Sequence, residues 1–199
     1  MHPNPGFAWT DEQAMLDFLS TVSFSTILIC APAGPSVAHA PVVPFGRDRL
    51  RFHLSRRNVA ADIPDGTHAL LSCMGPDSYV SPDWYGSADQ VPTWNYVVVE
   101  CEGQLSRLPD DGLVELLDSL SAAQEAQFAP KAPWTRAKMG PGRFEAMLKA
   151  IVGYELRVEK LRGTRKLGQN KPRAERAGAV AGLRAAGREE MARLMEEAP

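Results

Sequence analysis

The sequence predicts a mainly β protein with peripheral helices, organised as an antiparallel six-stranded barrel. Three observations lead there. Apolar, β-rich runs follow one another through the middle of the chain in hairpin-like succession. Helical periodicity is confined to the start, one long connection and the end. Strands and helices do not alternate, as a doubly wound parallel sheet would require. Closing into a barrel also removes the unpaired edges of such a sheet.

The elements can be justified in order. Thr10, with Gln13 three residues on, has the spacing of a capping box. Met15, Phe18, Leu19 and Val22 then put apolar side chains on one helical face. Phe24–Cys30 is a β-rich strand, followed by the turn "APAGPS". "VAHAPVVPF" and "LRFHLS" are strands joined by the polar turn "GRDR". "HALLSCM" is the next strand, and Asn95–Leu108 the longest, with Gly103 marking a bulge. Tyr79–Tyr96, "YVSPDWYGSADQVPTWNY", reads as an irregular stretch between them that collects two Trp and three Tyr. Leu113, Leu116, Leu117 and Leu120 form a helical stripe whose acidic start suits the helix dipole. A second helix begins near Pro141, with Phe144, Met147, Leu148 and Ile151 as its stripe and Gly153 as its terminating residue. "YELRVEKL" is the last strand, and a basic loop leads to an Ala-rich terminal helix.

The 199 residues suit one domain, 1–199, with 172–199 as a C-terminal helical extension. A formal net charge of −2 excludes a polycation that binds nucleic acid by charge alone. Cys30, Cys73 and Cys101 are odd in number and widely spaced, which fits core thiols in a reducing compartment. No apolar run is long enough for a membrane span, and the N-terminus lacks a signal-peptide pattern, so we expect a cytoplasmic protein without membrane contact.

Several residues are chemically suggestive. His53 alternates with Phe52 and Leu54, so it projects from the face opposite the apolar one. This is the placement of an ordinary half-exposed histidine, or of a cofactor contact or metal ligand. Next comes "SRRN", in which Arg56 and Asn58 precede an expected helical turn, "NVAADI". A guanidinium beside a helix start suits a phosphate; a solvated basic turn has the same composition. The aromatic stretch offers a platform for a flat ligand, with Ser81 and Asn95 as polar partners. Gly163–Lys171, "GTRKLGQNK", gathers three cations and two amides around two glycines, and is equally a solvated loop, an anion site or a nucleic-acid contact. Walker, G-x-G-x-x-G, G-x-S-x-G and H-E-x-x-H motifs are absent from the sequence.

The blocks "AHAP", "HLSRRN", "GPDSYVSPDWY", "VPTWNY", "AIVGYEL" and "KLGQNKP" occur in an order that resembles the PaiB family of FMN-binding negative transcriptional regulators. The resemblance spans about Asn4 to Leu194. It implies an FMN-binding split barrel, a homodimer with ligand sites between subunits, and a flavin or other flat small molecule as partner. It places His53, Arg56 and Asn58 with Tyr79, Ser81, Trp94 and Asn95 around that ligand, Arg56 and Asn58 towards the phosphate. Lys166 and Gln169 would close the site. Two residues depart from the family pattern: Gly168 stands where Ser is usual, and Glu100 where His is frequent. The flavin oxidoreductases built on this fold imply an oxidoreductase, and the regulator label implies a weak, salt-sensitive DNA contact through Arg162–Arg176. The family also resembles the piperazate synthases, heme enzymes in which a strand histidine holds the iron. His53 matches that position, so heme b ligated by His53 is the alternative cofactor; no other metal site is expected.

Overall fold

In the computed structural model, residues 2–32, 34–58 and 60–198 are described. The strands are β1 (Ala8–Trp9), β2 (Phe24–Ala31), β3 (Gly34–Pro41), β4 (Val43–Pro44), β5 (Arg49–Ser55), β6 (Thr67–Val80), β7 (Thr93–Arg107) and β8 (Ile151–Lys166). The helices are α1 (Glu12–Val22), α2 (Asp110–Ala126), α3 (Arg143–Leu148), α4 (Arg173–Ala185) and α5 (Glu189–Glu197). The strands join in the order β3-β2-β6-β7-β8-β5-β4, with β1 added to β8. The pairs β1–β8, β2–β3, β2–β6, β4–β5 and β5–β8 are all antiparallel. The class is the expected one, mainly antiparallel β with a few helices. The strand count is eight rather than six, and among the described residues the order ends at β3 and β4 without closing. Proline explains why both ends can stay open: Pro35 and Pro41 in β3 and Pro44 in β4 lack the N–H that another strand would need.

The chain divides into two compact units. One comprises Glu12–Cys73 and Glu100–Leu161. Its core is built by alternation. Leu50, Phe52 and Leu54 of β5 are buried, as are Ile27 and Ile29 of β2. Each such side chain contributes roughly 1.5–3 kcal/mol by leaving water. Tyr154 stacks obliquely on Phe52, with ring centroids 5.8 Å apart. Its hydroxyl donates to Ala61 O at 2.6 Å and accepts from Ile63 N at 3.2 Å, pinning the segment after β5. That segment, expected as a helical turn, is a turn with i to i+3 bonds from Asn58 N to Ser55 O and from Ala61 N to Asn58 O; Val59 lies outside the described residues, as does Ala33 of "APAGPS". Cys73 and Cys101 are core thiols as expected, whereas Cys30 is exposed.

Two glycines in this unit mark close packing, and one of them corrects a sequence reading. Gly153 does not terminate a helix; it lies inside β8 opposite His53. A Cβ there would meet Leu108 and Leu113 at 3.0 Å, so its bareness lets α2 close on the sheet. Gly103 marks a close backbone approach: a Cβ would fall 1.9 Å from Arg157 O.

The other unit comprises Met1–Asp11, Met74–Val99 and Arg162–Pro199. Here the Ala/Gly-rich terminal segment finds its purpose. α4 and α5 pack together through Ala179, Leu183, Met191, Ala192 and Met195, all buried. Gly178 and Gly182 leave a notch on α4 that holds Trp84, which lies in the short 3-10 turn Pro82–Tyr85. The stretch Tyr79–Tyr96 is thus less irregular than its sequence suggests: Tyr79 lies in the last two residues of β6, and Trp94 in the first two of β7.

Candidate functional site

The unit that holds α4 and α5 carries an aromatic groove of about 340 Å³. Tyr79 and Trp94 meet edge to face at a centroid separation of 6.3 Å. They remain 44% and 55% exposed, so their faces are open to a ligand. Trp84, Ser78 and Asp77 add to the lining, with Ala186 and Arg188 from the α4–α5 junction. Sequence reasoning picked out Tyr79 and Trp94 but missed Arg188, which is distant in the chain and carries no local signal.

Around this groove the basic loop is tied down. Lys166 donates from Nζ to Thr93 Oγ1, and its partial burial lowers its pKa. Lys171 reaches Gln90 Oε1 and lies 5.1 Å from the centre of the Tyr85 ring. Ser87 and Gln90 both donate to the carboxylate of Glu175, and burial together with that carboxylate raises the pKa of the Tyr85 phenol. Gln169 bonds within its own turn, accepting from Leu167 N and donating to Arg165 O. Asn95 is buried and donates to Met195 Sδ at 3.2 Å. Ser81 is half-buried at the start of the 3-10 turn and makes no capping bond with its side chain. Gly168 adopts φ +75°, and a Cβ there would lie 3.2 Å from Met195 Cε. Glycine at this position is therefore a conformational choice as well as the loss of a hydroxyl.

The unit that holds β5 carries a different feature. His53, with Leu117, Ser121, Trp134, Phe144 and Met147, lines a cavity of about 290 Å³. Here the apolar stripe of α3 faces a hollow, and none of α3 is fully buried. His53 Nδ1 is buried with no hydrogen-bond partner, and desolvation lowers its pKa. His53 as a residue is half-buried, as strand alternation predicts, and desolvation favours its neutral form. At the end of β5, Arg56 is exposed and donates from Nε to Lys149 O at 2.9 Å. Asn58 Oδ1 accepts from Ala60 N at 2.9 Å, shaping the turn. His53, Arg56 and Asn58 therefore belong to one unit, and Tyr79, Ser81, Trp94, Asn95, Lys166 and Gln169 to the other.

Comparison with known proteins supplies the context. Residues 1–160 match the family described as "Putative FMN-binding domain". The chain is 28% identical to the protease synthase and sporulation protein PAI 2 of Bacillus subtilis, covering 96% of this chain and 94% of that protein. Among solved structures, it resembles the flavocytochrome Anf3 from Azotobacter vinelandii, with 13% identity, a TM-score of 0.58 and coverage of 83% of this chain and 72% of that one. It also resembles the FAD and heme binding protein from Mycobacterium smegmatis, with 18% identity, a TM-score of 0.54 and coverage of 80% and 73%. At such identities the likeness is one of fold. The family match is of another order, because it takes in most of the chain: the protein belongs to the FMN-binding domain family and is PaiB-like, and FMN is the cofactor that this membership assigns.

Proposed function

We propose that the protein binds FMN with the flavin ring against Tyr79 and Trp94, and uses it in a flavin-dependent oxidoreduction. The observation that carries this reading is the pair of half-exposed rings facing one groove. The residues fit the group. Aromatic faces suit a flat heterocycle, and Arg188 supplies a cation for a phosphate. Arg188 replaces Arg56 as our first choice, because Arg56 spends its Nε on a main-chain carbonyl. FMN, when bound, supplies hydride and electron transfer; the chain positions it and excludes water.

A groove of about 340 Å³ is small for burying such a ligand, since ligand sites commonly run to about 300–1,000 Å³. A second copy of the chain would complete the cover. Exposed Phe24 and Val37 on the β2–β3 face favour that homodimer. A transcriptional role ranks second. Of the cations in Arg162–Arg176, Lys166 and Lys171 are bonded inside the unit, and Arg165 lies 5.3 Å from the Trp9 ring centre. Few remain to release counterions from DNA. A cytoplasmic location fits the described helices, none of which is long and apolar enough to cross a membrane.

FMN titration, followed by flavin fluorescence, tests the reading. We expect saturable binding that Trp94→Ala weakens by about 5- to 150-fold, from the ~1–3 kcal/mol of a base-type stacking contact. Arg188→Ala should weaken it further than Arg56→Ala. Absence of saturable binding would overturn the proposal.

A further inference from the structure

Beyond α2 the chain runs through 127–150 without burying any residue fully. Polar ties at two points nonetheless hold it to that helix. Glu125 accepts from Trp134 N at 2.8 Å, and Asp118 pairs with Arg136 at 3.3 Å. Between these ties the apolar side chains face hollows. One of about 490 Å³ is walled by Ala122, Ala126 and Pro133, and one of about 290 Å³ by Leu117, Phe144 and Met147. The two share Asp118, Ser121, Trp134 and Arg136, so they form one groove along α2. Trp134 is 39% exposed and Met147 60%, which leaves the groove open to a partner's side chains.

The rim of the groove is basic. Within 127–150 stand Lys131, Arg136, Lys138, Arg143 and Lys149 against one acid, Glu145, although the whole chain carries −2. Lys131 and Arg136 are paired with Glu125 and Asp118. Lys138 donates only to Pro133 O, and Arg143 and Lys149 have no carboxylate partner among the described residues. Arg56, whose Nε donates to Lys149 O, extends this positive edge. We propose that the groove is a docking surface for an acidic amphipathic helix of a partner protein. Its apolar stripe would enter both hollows, and its flanking Asp and Glu would meet the unpaired cations. A nucleic acid offers phosphates but no apolar side chains for the hollows, and a bilayer favours apolar side chains that protrude rather than line a concavity. A second copy has no such helix to offer. The acidic helices of this chain already bury their own apolar stripes, α2 through Leu113 and Leu116, and α5 through Met191 and Met195. The surface lies on α2 and α3, and its argument makes no use of FMN.

The probe is a synthetic helical peptide of about 15 residues, with Leu at i, i+3, i+4 and i+7 and Glu and Ala elsewhere. Labelled for fluorescence anisotropy and titrated with the full-length protein, it should bind saturably. An isomer with the Leu positions scrambled keeps the charge and loses the stripe, and should bind at least roughly tenfold more weakly. Trp134→Ala should weaken binding at least roughly tenfold, and so should Ala122→Trp, which fills the larger hollow from an exposed position. Arg143→Glu combined with Lys149→Glu, both exposed, should weaken it at low salt and matter less at high salt. No saturable binding, equal binding of the scrambled isomer, or binding unmoved by Ala122→Trp overturns the proposal. So does a dimer of the unmodified protein that Ala122→Trp dissociates in sedimentation, which would seat a second copy in the groove. Tighter binding of duplex DNA or of phosphatidylglycerol vesicles, lost with Arg143 and Lys149 reversed, would likewise overturn it and assign the surface to phosphates.

Discussion

Gly182 lies directly against the indole of Trp84: a Cβ at that position would come within 2.3 Å of Trp84 Cδ2. One turn earlier, a Cβ on Gly178 would reach 2.3 Å from Trp84 O. Glycine inside a helix costs about 1 kcal/mol relative to alanine. The chain accepts this twice in α4 to seat one aromatic turn.

Gly182→Ala and Gly178→Ala should therefore destabilise the protein, although alanine is the better helix former. Overpacking typically costs about 1–3 kcal/mol, which outweighs the gain in propensity. Gly178→Ala should be the worse of the two, because it meets backbone. Urea unfolding followed by tryptophan fluorescence measures both.

Arg51 joins three elements. Its Nε donates to Glu155 at 2.7 Å and Nη1 to Glu115 at 2.6 Å, while the guanidinium lies 3.9 Å from the Phe45 ring centre. Burial opposes its charge, and the two carboxylates more than restore it, so its pKa is raised. Arg51→Ala should cost about 3 kcal/mol, mostly by stranding the poorly solvated Glu155. Arg51→Lys should recover only part of this, because it lacks the fork and stacks less well. Thermal melts of the two variants provide the check.

The partly desolvated His53 imidazole makes stability depend on pH. His53 has its pKa lowered by desolvation in the folded chain, while an unfolded histidine titrates near about 6.5. Below that pH the unfolded state binds the extra proton, so stability falls as pH drops towards the folded-state pKa, and then levels off. His53→Leu should flatten this part of the profile. Urea midpoints between neutral and mildly acidic pH will show whether it does.

Glu125 holds the segment that carries Trp134. Its carboxylate accepts from Lys131 Nζ and from Trp134 N, and these bonds push its pKa down. The stabilisation is complete above the ordinary carboxylate range and is lost as pH falls through the depressed value. Glu125→Ala should speed hydrogen exchange at the Trp134 amide at neutral pH. Acidification should lower the protection factor of that amide, its rate taken relative to the intrinsic rate at the same pH, in the unmodified chain.

Much of the architecture was legible because alternation and helical spacing are local signals. Phe52 and Leu54 announced the core face of β5, and the Leu113–Leu116 stripe announced α2. What escaped depended on neighbours remote in sequence. Gly153 looked like a helix terminator because nothing local shows that Leu108 and Leu113 crowd it. The apolar run "HALLSCM" stops at Met74, yet β6 continues through Gly75 and Pro76 to Val80. In the aromatic groove, Tyr79 and Trp94 were visible as ring-rich sequence, whereas Arg188 joins them only through the packing of α4 and α5.

That last dependence has an evolutionary side. The aromatic pair lies within residues 1–160, the span shared with the family, whereas Arg188 and Ala186 lie beyond it. A platform inside the span of the family match is thus walled by residues outside it. Exchanging tails among family members would keep the stacking surface and reset the charge beside it, so ligand preference could diversify without any change in the domain that does the stacking.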